Sequence, residues 1–63
     1  MDPAQIFELI VKADERLKYA TEGNADVRRS QARALLDEAR AAALAIGNQA
    51  LVAQVDTRLA DLG

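Results

Sequence analysis

Sixty-three residues leave room for one domain, 1–63, with one small core. The chain has no Cys and no His, which excludes disulfides and thiolate metal sites and argues against ordinary zinc or haem sites. A net charge of −2 argues against a nucleic-acid binder, which normally carries a basic surplus, and no apolar run approaches the roughly 20 residues that span a bilayer.

The apolar fraction of 51% overstates the core, because 14 of those residues are Ala, against one Phe, one Tyr and no Trp. Alanine is the best helix former but buries little area. The composition therefore specifies helices around a thin core. In so short a chain the gain from burial barely offsets the entropy of ordering, and small domains usually escape through disulfides, a metal or association. Association is the route left open, with unusually regular helix packing as the other.

The spacing predicts three helices, at about residues 3–22, 25–46 and 48–62. The first opens on Asp2 as cap, Pro3 at the first helical position and Gln5 where a capping box takes Glu or Gln. Ile6, Ile10, Ala13, Leu17 and Ala20 follow at steps of four and three, making one inward face that Leu9 widens. Gly23 reads as the C′ residue, which ends the helix near Thr21 or Glu22.

Asn24 or Asp26 is expected to cap the second helix, with Asp26 also favourably placed in its first turn. Its inward face reads Ala32, Leu35, Leu36, Ala39, Ala42, Ala43 and Ile46. Gly47 closes it and Asn48 caps the third helix, so the two are joined by a sharp turn. The third helix carries Leu51, Val52, Val55, Leu59 and Leu62 on a broad stripe. No segment has the pattern of a strand. The fold class is therefore all-α, a three-helix antiparallel array, with a simple three-helix bundle as the alternative.

Within the second helix, Ala32, Leu36 and Ala39 have the small-x₃-large-x₂-small spacing of helix B in tetratricopeptide repeats, and the chain resembles that family here. The stretch from Leu35 to Gly63 is similar to the junction of one divergent repeat with the next. Leu59-Ala60 and Leu62-Gly63 resemble the terminal pairs of such repeats. The first helix departs from the pattern, since Tyr19 and Ala20 are only loose counterparts of the Trp, Gly and Tyr signature. The proline usual after helix B is also missing. The resemblance implies a repeat-like hairpin plus a closing helix. Repeat arrays need about three units for stability, so one and a half units would leave an apolar face open.

Phe7 and Val11 project to one side of the inward face of the first helix, at spacing i, i+4. A helix apolar on more than one side is usually buried on more than one side. These residues either flank the same core or form an interface with a second copy or another protein. Tyr19 and Leu44 also lie off the inward faces and join the candidate interface, as do exposed parts of the third helix. Val27, Ala34, Ala41 and Ala45 make a small-residue strip on the back of the second helix. Arg29, Arg33 and Arg40 line one side of it beside Asp37. That side either grips an acidic partner or is a solvated face with an Arg33–Asp37 pair. Glu8–Lys12 and Asp14–Lys18 have the spacing of ordinary helical ion pairs.

The chemistry-bearing residues are few. There is no nucleophile–base pair, no phosphate loop and no cluster of metal ligands. Asp14-Glu15 and Asp37-Glu38 are neighbours in a helix and point about 100° apart, so neither pair converges. The sequence therefore predicts no enzyme, no cofactor and no small-molecule substrate. It predicts a protein-binding module that pairs with another copy of itself. A small nucleic-acid-binding regulator is one alternative, although the third helix would offer only Arg58, Gln49 and Gln54 to a phosphate backbone. A fragment of a larger helical repeat protein, excised or engineered, is another. The acidic Met1-Asp2-Pro3 start does not resemble a secretory signal, so a cytoplasmic location is expected. Six Arg against two Lys, with abundant Ala, is the bias of high-GC bacterial coding.

Overall fold

The computed structural model describes all 63 residues as three α-helices and no strand: α1 (Pro3–Lys18), α2 (Ala25–Ala45) and α3 (Gln49–Leu62). The start of α1 is the expected capping box. The Asp2 carboxylate accepts from the Gln5 N–H at 2.8 Å, and the Gln5 side-chain oxygen accepts from the Asp2 N–H at 2.9 Å. Two of the unpaired donors at the helix start are thereby satisfied.

The end of α1 comes earlier than expected. The helix stops at Lys18, with Tyr19 as its C-cap, and Gly23 does not take the left-handed conformation; only Gly47 and Gly63 have positive φ. The physical reason lies in Asn24. Its side-chain oxygen accepts from the Thr21 N–H at 2.6 Å, and its own N–H donates to the Thr21 carbonyl at 3.1 Å. This reciprocal turn takes the Thr21 N–H that another helical turn would need. Asn24 still occupies the N-cap position of α2, but its side chain makes no bond to that helix.

The turn between α2 and α3 is built as expected. The Asn48 N–H donates to the Ala43 carbonyl at 2.9 Å and the Gly47 N–H to the Leu44 carbonyl at 3.1 Å. With Gly47 at φ 68°, this is a Schellman closure. Asn48 then turns outward to cap α3, its side-chain oxygen accepting from the Leu51 N–H at 3.1 Å. Ile46 was expected to face inward. It is instead 43% exposed, because α2 ends one residue before it and the chain is already turning toward Gly47.

The core is nine buried apolar side chains: Ile6, Ile10 and Ala13 from α1, Ala32, Leu36, Ala39 and Ala43 from α2, and Leu51 and Val55 from α3. Four of them are Ala, so Ile6, Ile10, Leu36 and Val55 supply most of the buried volume. Leu9, Leu17, Leu35, Ala42, Val52, Leu59 and Leu62 pack around the rim. No polar side chain is buried. Ala20, expected to extend the face of α1, lies beyond the helix end and is half-buried.

Side-chain links set the directions of the helices. Arg16 reaches Gln31, and Arg40 reaches Asp56, so α2 runs antiparallel to both neighbours. Arg58 reaches Asp14, so α1 and α3 run parallel. The central helix α2 packs extensively against both others, whereas α1 and α3 scarcely meet. The result is an array about α2, 38 × 20 × 13 Å in extent, rather than a closed triangular bundle. No helix is long and apolar enough to cross a membrane.

Candidate interaction surface

Four positions were expected to project from the core, and all four do. Phe7 is 48% exposed, Val11 39%, Tyr19 63% and Leu44 54%. Phe7 sits near the start of α1 and Val11 at its middle, one turn apart, and neither is absorbed into the core that Ile6 and Ile10 enter beside them. Helical geometry explains the split, since each successive residue is rotated by about 100°.

The four do not form one patch. Because α2 runs antiparallel to α1, the C-terminal end of α2 lies at the same end of the molecule as Phe7. Leu44 and Ile46 therefore share an end with Phe7, together with exposed Met1, while Val11 lies at mid-helix. Tyr19 lies at the opposite end, about 18 Å from Phe7 along α1 at 1.5 Å per residue. Exposed Val27 is at that far end too. Ile46 and Met1 are the members the sequence reading missed. A signal for Ile46 was available, because a residue just before a left-handed glycine is a cap rather than a face position.

The third helix contributes no exposed large apolar side chain. Its outward positions are Ala50, Ala53, Gln54, Thr57, Ala60 and Asp61, and its larger residues are buried or half-buried. The parts of this helix that are exposed are therefore small or polar.

The arginine side of α2 is largely engaged within the chain. Arg40 Nε donates to Asp56 Oδ1 at 2.6 Å and Nη2 to Oδ2 at 3.4 Å. This hydrogen bond, then the charges of Asp56 and Asp37, holds the Arg40 guanidinium above its ordinary pKa. Arg33 donates to the Gly63 carbonyl at 3.4 Å. Arg29 makes no side-chain bond and is the one of the three left free. The Arg33–Asp37, Glu8–Lys12 and Asp14–Lys18 pairs suggested by spacing do not form. The two salt bridges, Arg40–Asp56 and Arg58–Asp14, both join different helices.

A cleft of about 320 Å³ opens between the C-terminal half of α1 and the start of α2. Lys12, Glu15, Arg16, Tyr19 and Arg28 line it. The Lys18 ammonium sits 5.6 Å from the centre of the Tyr19 ring. Sequence spacing alone did not suggest this site, because Arg28 joins it from another helix.

No family model matches the chain, and no curated protein or solved structure matches it significantly.

Proposed function

We propose that this protein is a non-catalytic, cytoplasmic interaction module that associates with a second copy of itself through the N-terminal half of α1. The observation that carries the reading is the exposure of Phe7 and Val11 beside a thin, alanine-rich core. Phe is among the residues enriched at interface centres, and Val11 one turn away extends its apolar area. A two-fold axis through the midpoint of this stripe sets Phe7 of one copy against Val11 of the other. Such an isologous contact closes on itself and does not propagate into fibres. Leu44, Ile46 and Met1 are further exposed apolar side chains toward the Phe7 end of the molecule.

The tetratricopeptide-like relation belongs to the same proposal. Its support is that Ala32, Leu36 and Ala39, the residues of the repeat spacing, are all fully buried at the centre of the array. In that reading the second copy covers the side of α1 that a preceding repeat would cover in a longer array.

The test is a double substitution, Phe7→Glu with Val11→Glu, followed by sedimentation velocity and circular dichroism. The expected outcome is a shift from twice the chain mass of 6.8 kDa to the single mass, with helicity retained at concentrations where the parent is dimeric. An unchanged mass on a folded variant would remove this face as the contact.

A further inference from the structure

The cleft between α1 and α2 lies on the other flank of α1 from Phe7 and Val11, roughly 130° around the helix. Lys12, Arg16 and Tyr19 fall at i, i+4 and i+7, so they form one stripe. Arg28 faces them from the first turn of α2. Three cations and one carboxylate, Glu15, thus line one concave site, a local charge of +2 in a chain whose net charge is −2.

These cations are not spent within the chain. Both salt bridges use other arginines, Arg40 and Arg58. Arg16 donates one Nη1 bond to Gln31, long at 3.5 Å, and retains its remaining donors. Arg28 is half-buried, yet its guanidinium makes no hydrogen bond and no ion pair. A guanidinium with no counter-charge in the chain is free to take an anion, and its fork of donors suits a phosphate. Tyr19 adds a hydroxyl and a ring, with the Lys18 ammonium against the ring.

We propose that this cleft binds a small phosphate monoester carried on a ring. A monoester bears about −1.5 to −2 charges at neutral pH, which matches the local +2. The 320 Å³ volume is at the small end of ligand pockets, about 300–1,000 Å³, and has room for one such molecule. The proposal departs from the expectation of no small-molecule substrate, and it is independent of self-association.

The probe is phenyl phosphate, titrated into the full chain at constant ionic strength and followed by backbone amide NMR shifts. The expected result is saturable shifts at Lys12 to Tyr19 and at Arg28, with a dissociation constant on the order of 1 mM that weakens as salt rises. Inorganic phosphate and benzenesulfonate should both bind more weakly, the first lacking the ring and the second the second charge. Arg28→Gln should weaken binding about tenfold, as expected for removing a charge-assisted bond. Glu15→Gln should tighten it, a gain that loss of folding cannot produce. The proposal is overturned by the absence of saturation at tens of millimolar phenyl phosphate. It is equally overturned by shifts spread evenly over Arg29 and Arg33, or by a dissociation constant indifferent to both substitutions.

Discussion

The N-terminal half of α1 and the whole of α3 perform the same structural task and are finished differently. Each lays an apolar face on α2: Ile6 and Ile10 from one side, Leu51 and Val55 from the other. Farther along α1, Asp14 pairs with Arg58 of α3. The outer face of α3 ends in Ala50, Ala53, Gln54, Thr57 and Ala60, side chains that ask for no partner. The outer face of α1 carries Phe7 and Val11. A thin core does not by itself force apolar residues outward, because α3 manages without any. The surplus lies on α1, on both ends of α2 and at the chain start, with Tyr19 and Val27 at one end and Met1, Phe7, Leu44 and Ile46 toward the other.

The comparison can be tested from the inside outward. The two inner faces should be equally necessary: Ile10→Ala and Leu51→Ala should each cost about 2–5 kcal/mol in urea unfolding, the range for truncating a buried aliphatic residue. A loss at Leu51 of well under 1 kcal/mol would mean that α3 is an appendage of the α1–α2 hairpin. A smaller effect separates the two turns. Gly47→Ala should destabilise by roughly 1–2 kcal/mol, since φ 68° is a left-handed conformation that a Cβ disfavours. Gly23→Ala, in a conformation open to any residue and with nothing near its Cβ, should be neutral or stabilise by up to about 1 kcal/mol. Smallest of all, Ala53→Glu on the outer face of α3 should change stability by no more than about 0.5 kcal/mol and leave the assembly state alone.

Much of this fold was legible in the residues. Every one of the nine core side chains lies on a face that the spacing predicted. Asp2, Pro3 and Gln5 marked one helix start, while Gly47 and Asn48 marked a turn whose bonds follow from their types. What escaped were features that depend on one side chain choosing among several local partners. Asn24 bonds back to Thr21 instead of forward into α2, and that ends α1 three or more residues early. Ile46 fitted the helical period but fell in the cap. The ion pairs were unreadable for a different reason. Spacing offers i, i+4 partners within a helix, but the bonds of Arg40 and Arg58 run to other helices, and only the packed register brings Asp56 and Asp14 within reach. The cleft around Arg28 escaped in the same way. For the candidate surface, spacing placed Phe7, Val11, Tyr19 and Leu44 outside the core, but it took the antiparallel pairing of α1 with α2 to separate Tyr19 from the other three.

The central claim is that the outer face of α1 is completed by another copy of the same chain. Sedimentation equilibrium of the unmodified protein over a concentration series into the high micromolar range tests it most directly. The account predicts a mass that rises toward two chains of 6.8 kDa as concentration increases. A single-chain mass across the whole series would contradict it.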